Sequence, residues 1–545
     1  MPDPKGTERL LSEELRSYPD LGSRPRTGSN DPGLQLPFED LDLTEENFQA
    51  GQGGFRDVYF GNVKKYNETT AECRAFPGSD DWPTQQEWNR LSDFLEGSLL
   101  KPQPAASVCY KDHANYDEAK CRDIRNNAGS NRFFISDPLT VLTSWPQGRL
   151  PEYVLNVTEV WQIQTVVNFA RNKNIRLVIK NTGHDFLGRS TGAGAISVWT
   201  HFIKDFEFLP TYTQGQYTGP AARVGAGLES WEMYNFMEEH NVTFVTPGRY
   251  TVGVYGGWFQ GGGHNALASW YGMGADQILS LQVVTAEGKF VTASPEENPD
   301  LFYALRGGGP GTYGIVTSAV VKAHPRVTVR NAALAFQTGK NVSVGGTSYN
   351  YVSYTGPDSF SFTADNEFPD LSDEEISYFL QPLWDAIRGY GIDLKDISPR
   401  QLALRQQALP RKIWNDETLF NATMGARPEP AFRDTYMHAD IFYAGDISKT
   451  EPFNKVMNKL REVTADGGGA YINESDVEEP NWQTSYFGNK YAELLKVKKS
   501  RDPWNVFWAP STVGSEGWEV RKVEGDKFPS QNGRLCKVAQ AAAEA

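Results

Sequence analysis

Three glycine-rich stretches in one part of the chain constrain this protein more than any other feature of its sequence. They are residues 181–194 (NTGHDFLGRSTGAG), 246–278 (TPGRYTVGVYGGWFQGGGHNALASWYGMGADQI) and 306–320 (RGGGPGTYGIVTSAV). Glycine allows the backbone to approach a ligand closely, and successive N–H groups in such loops form a concavity that binds anions. A tight turn would explain any one stretch. The three together predict an extended, planar cofactor that carries phosphate.

The first stretch also places side-chain donors beside its glycines. It follows IRLVIK (175–180), which is predicted to be a strand, and it adds the side chains of Asn181, Thr182, Arg189 and Ser190. Its spacing is neither that of a Walker A loop nor that of a Rossmann GxGxxG motif. Taken alone, this loop is also explained as a turn between two strands. Its predicted role in phosphate binding therefore depends on the other two stretches.

The charge of the chain argues against polyanionic partners. The 545 residues include 53 basic and 68 acidic side chains, a net charge of −15. Nucleic acids and anionic membranes attract proteins through a cationic field. No apolar run approaches the roughly 18 residues of a membrane-spanning helix. We expect a soluble, monomeric protein with a small-molecule substrate and with no nucleic-acid or membrane partner.

Cysteines and glycosylation sequons favour the secretory pathway. Cys109 and Cys121 are close enough to close a short loop, whereas the pairing of Cys73 with Cys536 stays open from sequence. The N-terminus, MPDPKGTERLL, has no signal segment, so the chain is either a mature form with an added Met or not secreted. Six N-x-S/T sequons begin at Asn67, Asn156, Asn241, Asn341, Asn421 and Asn473.

Composition and periodicity divide the chain into six segments. Thr158 is predicted to cap a helix, residues 281–293 to form a hairpin with Glu287 and Gly288 at its turn, and Trp88 to lie in an amphipathic helix. RVTVRNAALAFQT (326–338) is predicted to be a strand and EEISYFLQPLWDAI (374–387) a helix. The segments are an extended or disordered arm (1–50), an N-terminal subdomain (51–145), a mixed α/β domain (146–325), an α+β domain (326–484), a return to the first domain (485–530) and a tail (531–545).

The glycine stretches resemble those of the FAD-linked oxidases of the vanillyl-alcohol oxidase and berberine bridge enzyme superfamily. The resemblance is closest to fungal members similar to 6-hydroxynicotine oxidase, and it spans about residues 60–525. The strings that carry it are IRLVIKNTGHDFLGRS, QGGGHNALASWYGMGADQIL and YFGNKYAELLKVKKSRDPWNVFW. It implies an α+β fold, with a two-part FAD-binding domain of the PCMH type at 146–325. The domain at 326–484 would be a substrate domain, an antiparallel sheet covered by helices.

The resemblance also implies how FAD is held. His184 matches the histidine that is joined covalently to the 8α-methyl carbon of the flavin. Bicovalent relatives add a cysteine before TVG, but Arg249 or Tyr250 stands there and none of the four cysteines is near, so we expect no second linkage. Val252 matches the position where a small side chain admits O2. The implied FAD-binding residues are Asn181, Thr182, Gly183, His184, Asp185, Leu187, Gly188, Arg189, Ser190, Gly248, Val252, Gly253, Gly256, Gly257, Gln260, Gly261, Gly262, His264, Gly274, Asp276, Gly314, Ile315, Val316, Asn489 and Asn505.

The segment YINESD (471–476) resembles a strand that reads Y-x-N-Y-x-D in carbohydrate-oxidising and plant members. Glu474 replaces their second tyrosine, which makes it the leading candidate for the acid/base group and argues against the sugar substrates of those members. The alternative is a solvated charge on a strand. A glycan on Asn473 would obstruct such a site. Further catalytic candidates are Tyr471 and, on weaker grounds, Tyr486, His438 and Asp440, while His264 faces either the flavin or the core.

Three functions are compatible with these residues. The first is an FAD-dependent oxidase that transfers a hydride from a small organic or natural-product substrate to FAD and then to O2, giving H2O2. The second is a redox-neutral isomerase or cyclase in which Glu474 exchanges protons. The third is a flavin-binding protein of storage or defence. No motif in residues 326–480 identifies the substrate.

Overall fold

The described residues form helices and five β-sheets, three of which have four or five strands. The computed structural model describes residues 36–40, 42–44, 56–60, 71–127, 135–140, 150–265, 267–327, 329–338, 350–356, 359–369, 404–406, 451–463, 469–524 and 529–538. In these residues the helices are α1 (Gln85–Phe94), α2 (Glu118–Asn127), α3 (Val160–Asn172), α4 (Ser230–His240), α5 (Ala268–Tyr271), α6 (Pro299–Leu305), α7 (Glu451–Val463), α8 (Trp482–Phe487) and α9 (Tyr491–Arg501). The strands are β1 (Leu99–Leu100), β2 (Tyr153–Asn156), β3 (Arg176–Lys180), β4 (Ala195–Trp199), β5 (Phe206–Gln214), β6 (Tyr217–Gly225), β7 (Val242–Thr243), β8 (Ile278–Val284), β9 (Phe290–Ala293), β10 (Ile315–Lys322), β11 (His324–Pro325), β12 (Val329–Thr338), β13 (Asn350–Gly356), β14 (Ser359–Pro369), β15 (Leu404–Gln406), β16 (Trp518–Val520) and β17 (Leu535–Lys537).

The first sheet has the order β1-β2-β4-β3, and β4 pairs in parallel with both β2 and β3. Helix α3 connects β2 to β3 and is buried around nearly its whole circumference. It carries polar residues into this core because their side chains bind backbone groups. Gln164 donates to the carbonyls of Leu43 and Gly288, each at 2.9 Å, and Arg171 donates to the carbonyl of Ala286 at 2.7 Å. The first half of the predicted α/β domain is therefore a parallel sheet with its crossover helix.

The second sheet, β5-β6-β10-β8-β9, is antiparallel throughout. Strand β8 is buried along its whole length, as a strand covered on both faces must be. Strands β8 and β9 form the predicted hairpin, in which the Gly288 amide donates to the Thr285 carbonyl at 2.8 Å. The predicted turn is confirmed, and Gly288 has a positive φ of 80°, which glycine adopts without strain.

The third sheet belongs to the predicted substrate domain. Its order is β13-β14-β12-β15, and all its pairs are antiparallel, as expected. Strand β12 confirms the predicted strand at 326–338. The predicted helix at 374–387, together with His438 and Asp440, lies outside the described residues.

Part of the predicted N-terminal arm is packed in the core. Residues Pro37–Glu39 form a 3₁₀ turn in which Phe38 and Glu39 are buried, and Leu36 and Phe38 join the apolar cluster around α3. The expectation of an extended or disordered arm is wrong for this short segment, because its apolar side chains are buried. Glu39 is buried with them and accepts hydrogen bonds from the Leu36 amide at 2.9 Å and the Ser318 hydroxyl at 3.0 Å.

The end of the chain returns to the second sheet earlier than residue 485, where the sequence placed this return. Tyr471 and Ile472 are already buried in the cluster that includes α9 and β10. Two disulfides, Cys73–Cys536 and Cys109–Cys121, join all four cysteines, so the long-range pairing left open by the sequence is present. Within the described part of the chain, the helices lack the length and apolarity that a bilayer span requires.

Two local predictions differ from the structure. Helix α3 begins one residue later than predicted, because Glu159 is the N-cap residue. Thr158 donates its amide and its hydroxyl to the Gln162 side chain, at 2.9 and 3.1 Å. The segment 471–476 is not a strand, because Ile472–Glu474 is a 3₁₀ turn. Helix α1 confirms the helical pattern around Trp88, and a capping box between Thr84 and Glu87 begins it.

Candidate active site

A cavity of about 1090 Å³ lies where the three glycine-rich stretches meet. Further parts of its wall come from the 471–474 turn, from residues 507–509 after α9, and from β3, α4 and β7. This volume is at the upper end for small-molecule pockets, which suits an elongated cofactor together with a substrate. The predicted residues that line it are Asn181, Thr182, Gly183, His184, Asp185, Arg189, Ser190, Gly248, Val252, Gly253, Gly256, Gly257, Gln260, His264, Gly314, Ile315, Val316, Tyr471 and Glu474.

Other predicted cofactor residues lie outside the cavity wall. Asp276 caps the short turn that it belongs to, by accepting the Met273 amide at 2.8 Å. Gly274 lies against Trp258, and Gly261 against the side chain of Asn473. Asn489 is exposed. Leu187, Gly188, Gly262 and Asn505 complete the set that the cavity does not reach.

The first two glycine stretches are in direct contact. A Cβ atom on Gly253 would lie 1.9 Å from the Asn181 side chain, and one on Gly256 would lie 2.7 Å from it. Asn181 is held from the other side, because its amide donates to the Thr200 hydroxyl at 3.0 Å and to the Ala226 carbonyl at 2.8 Å. These glycines are therefore required for close approach of two loops as well as for space beside a ligand.

His184 lies partly buried in the cavity wall, and its imidazole is neutral. Its Nε2 lies 2.8 Å from the Thr251 hydroxyl. Burial is the largest cause that lowers the pKa of His184, to about 4. A neutral imidazole keeps a lone pair, and that lone pair makes it a nucleophile at neutral pH.

Arg189 connects the first glycine stretch to the 471–474 turn. Its Nε donates to Asp185 at 2.8 Å, and its Nη2 donates to the Asn473 side chain at 2.8 Å and to the Ile472 carbonyl at 3.2 Å. The Phe186 amide adds a bond to the Asn473 carbonyl at 3.1 Å. Asn473, considered from sequence only as a sequon, is thus an internal part of the site. The Y-x-N pattern of residues 471–473 is the sequence signal from which this role could have been predicted.

The catalytic candidates differ in how their polar atoms are engaged. Glu474 faces the cavity, and its Oε2 lies 2.9 Å from Nε2 of His264. Tyr471 is buried, donates its hydroxyl to the Trp258 carbonyl at 3.0 Å and accepts from Asn473 at 2.7 Å. Burial, followed by the charge of Glu474, raises the pKa of Tyr471 well above its ordinary value, so its phenol is a poor base. Tyr486 is buried away from the cavity, and its hydroxyl donates to the Asp476 carbonyl at 3.1 Å.

The sequence did not single out several residues that line the cavity. Phe507, Trp508 and Ala509 follow α9, and Tyr234 and Met237 project from α4. No spacing pattern marks such residues, because the turns of the chain, and not a motif, bring them to the cavity.

Comparisons with known proteins agree with this geometry. Residues 151–294 match the FAD binding domain family, and residues 470–514 match the family described as berberine and berberine like. The FAD-linked oxidoreductase ZEB1 of Gibberella zeae is 32% identical over 86% of this chain and 96% of its own length. This chain belongs to the family of VAO-type and berberine bridge enzyme-like FAD-linked oxidoreductases. It is an enzyme, FAD is its cofactor, and its substrates are small molecules.

Two further relatives and one solved structure extend the comparison. The VAO-type flavoprotein oxidase VAO615 of Thermothelomyces thermophilus is 30% identical over 85% of this chain and 95% of its own length. The crystal structure of the VAO-type flavoprotein MtVAO615 from Myceliophthora thermophila has a TM-score of 0.65 at 29% identity, and covers 86% of this chain and 100% of the solved one. The bifunctional decalin synthase calF of Penicillium decumbens is 29% identical over 86% of this chain and 96% of its own. The predicted fold class, PCMH type with antiparallel sheets, is confirmed.

The cavity of this FAD-linked oxidoreductase has polar groups that fit such a cofactor. Among the described residues, four buried side-chain atoms at its wall have no hydrogen-bond partner: Asn181 Oδ1, Arg189 Nη1, Gln260 Oε1 and Trp258 Nε1. An unsatisfied buried polar group costs about 1–3 kcal/mol. A ligand with both hydrogen-bond donors and acceptors would satisfy them, and FAD carries both. The residues present therefore fit the cofactor that the family uses.

Proposed function

We propose that this enzyme is an oxidase of a small organic substrate, with FAD attached through His184 and Glu474 acting as the base. The observation that carries the proposal is a partly exposed carboxylate that faces the cofactor cavity. The chemistry that bound FAD supplies is acceptance of a hydride and, afterwards, reduction of O2 to H2O2. Glu474 takes the proton that leaves the substrate hydroxyl or amine as the hydride leaves the adjacent carbon.

Two observations support attachment by His184 alone. His184 is partly buried at the cavity wall, and its lowered pKa leaves a neutral nitrogen for bond formation. Each of the four cysteines is engaged in a disulfide, so none is free to form a second flavin bond. The same disulfides support a protein of the secretory pathway, where such bonds persist. Val252, half-buried at the cavity wall, is the residue beside which O2 would enter.

Acid precipitation tests the attachment. We expect yellow colour to stay in the wild-type pellet and the tryptic peptide that contains His184 to carry the mass of FAD. The variant His184→Ala should give a colourless pellet, because no nucleophile remains at the flavin methyl. The exposed His113 provides the control, since His113→Ala should leave the pellet yellow. A colourless wild-type pellet, or colour retained by His184→Ala, would overturn the attachment.

A redox-neutral cyclase is the second candidate, because one relative is named a decalin synthase. Glu474 would then exchange a proton within one substrate. Anaerobic mixing with a panel of small alcohols and amines distinguishes the two functions. An oxidase bleaches the flavin absorbance and releases H2O2 when O2 is admitted. A cyclase forms product with neither bleaching nor O2 uptake.

A further inference from the structure

A histidine and a glutamate from distant parts of the chain meet at the cavity wall. His264 Nε2 lies 2.9 Å from Glu474 Oε2, and the two side chains are 18% and 27% exposed. We infer that His264 is a positioning residue for proton transfer, which holds the Glu474 carboxylate ionised and directed at the substrate. The inference rests on the proposed function, in which Glu474 is the base.

Both partners are attached to fixed backbone. His264 follows Gly261–Gly263, where the Gly262 and Gly263 carbonyls accept the amides of Ala275 and Gly274 at 3.0 and 2.8 Å. Glu474 ends a 3₁₀ turn, and its amide donates to the Tyr471 carbonyl at 3.0 Å. The Tyr471 ring packs edge-on against the His264 ring with centroids 4.7 Å apart. The pair therefore does not need to be assembled when a substrate binds.

His264 is bonded directly to Glu474, whereas the other charged or titratable groups named here are compensated, neutral or at the edge of the cavity. Arg189 is paired with Asp185, so these two charges compensate each other beside the turn. Tyr471 is neutral because burial raises its pKa, and His184 is neutral because burial lowers its pKa. Arg249 is at the exposed mouth of the cavity. Direct hydrogen bonding to a carboxylate outweighs these more distant or compensated charges.

The pair makes a balanced proton transfer possible. The neutral His264 ring donates its Nε2–H to Oε2 of Glu474, and this hydrogen bond favours the ionised carboxylate, which then accepts the substrate proton. When a substrate alcohol reacts, its C–H bond breaks and the electron pair leaves as hydride to FAD. Its O–H bond breaks and the proton passes to Glu474, so that a C=O bond forms. His264 itself neither loses nor gains a proton in this step.

Histidine ring ¹⁵N NMR on the full-length, FAD-loaded enzyme tests the pairing without a substrate. The chain has seven histidines, and the spectrum of His264→Gln assigns the signal of His264. In Glu474→Gln, we expect the midpoint of the His264 titration to move at least about one pH unit lower, because a neighbouring carboxylate favours the imidazolium. Glu478→Gln, an exposed carboxylate close in sequence, should leave the midpoint unchanged. The same midpoint in wild type and Glu474→Gln would overturn the inference.

A pH profile of kcat/KM then tests the role, with an alcohol or amine identified by the anaerobic panel. His264→Leu removes the donor, so we expect the acidic limb to move roughly one pH unit higher. His264→Gln retains a donor and should restore the limb. An unmoved limb in His264→Leu, with Glu474→Gln inactive, overturns this inference and leaves the proposed function standing. Full turnover by Glu474→Gln overturns the proposed base, and with it the role of His264.

Discussion

Two pairs in this enzyme each join a carboxylate to a nitrogen-containing basic side chain, but one pair is in the core and the other faces the cavity. The Lys498–Asp502 pair is 2.6 Å apart, and its side chains are 3% and 0% exposed. The His264–Glu474 pair, at 2.9 Å, faces the cavity and is partly exposed. Lys498 and Asp502 are four residues apart at the end of α9, whereas His264 and Glu474 are 210 residues apart. The pairs also differ in what else each partner binds.

The core pair is saturated by hydrogen bonds from the protein. Lys498 also donates to the carbonyls of Thr312 and Phe507, at 2.9 and 2.8 Å. Asp502 accepts the amides of Val506 and Phe507, each at 2.9 Å. Those bonds hold the backbone of Val506 and Phe507 in place, where the 507–509 segment of the cavity wall begins. A buried pair whose hydrogen bonds are all made within the protein holds the backbone in place, whereas a pair that faces a cavity can exchange a proton with a ligand.

Replacement of the cavity carboxylate should have the largest effect on activity. We expect Glu474→Gln to lower kcat by about 100- to 10,000-fold, the usual range for loss of a general base. Steady-state kinetics and the urea midpoint, measured together, check this prediction. Its urea midpoint should stay close to wild type, because the side chain is partly exposed. Glu478→Gln is the matched control. Equal kcat in the two variants would contradict the prediction that the cavity carboxylate takes part in the reaction.

Replacement of the core lysine should act on stability instead. Lys498→Met leaves Asp502 buried without its cation, and we expect the free energy of unfolding to fall by about 3–5 kcal/mol. Denaturant unfolding measures this loss. The neighbouring exposed residue supplies a control, since Lys499→Met should change little. In the double variant Lys498→Met, Asp502→Leu, much of the stability should return. A loss no larger than that of Lys499→Met would show that the pair does not fasten the chain.

A third carboxylate, Glu39, is buried without a directly bonded cation. Its replacement should have the smallest effect of the three, a change in the pH dependence of stability. Burial is the largest cause that raises the pKa of Glu39, from 4.5 to about 7, against hydrogen bonds from Thr317, Leu36 and Ser318 that lower it. The folded state therefore binds the proton more tightly than the unfolded state. Its stabilising contribution is complete below about pH 4.5 and is lost as the pH rises to about 7.

The variant Glu39→Gln mimics the protonated form and should remove this pH dependence. At pH 8 we expect the variant to exceed the wild type in stability by about 3 kcal/mol, with near equality at pH 4. Urea midpoints across this range give the comparison, and the exposed Glu519→Gln controls for loss of one charge. Parallel pH curves for wild type and Glu39→Gln would show that Glu39 is not protonated on folding.

Motifs made the cofactor side of the site predictable from sequence. Residues 181–189 are close together in sequence, and so are the glycines at 253, 256 and 257. Each group can therefore be recognised as a motif, because the backbone of one loop forms that part of the wall. Strand β12 and the β8–β9 hairpin were predictable for a similar reason, since alternation and turn residues are local signals. The 471–474 segment was misread as a strand, because its tyrosine, asparagine and glutamate face a site and not a sheet. Tertiary contacts overrode the local pattern there.

Residue types and short-range spacing were sufficient to predict the glycine-rich loops, the planar phosphate-bearing cofactor and the candidate acid/base residue. Three features came from the folded chain: the set of side chains that share the cavity, the pairing of Glu474 with His264 from 210 residues away, and the engaged hydroxyl of Tyr471. The physical reason is that a hydrogen bond depends on distances of about 3 Å. Such distances between remote residues arise from the packing of the whole fold.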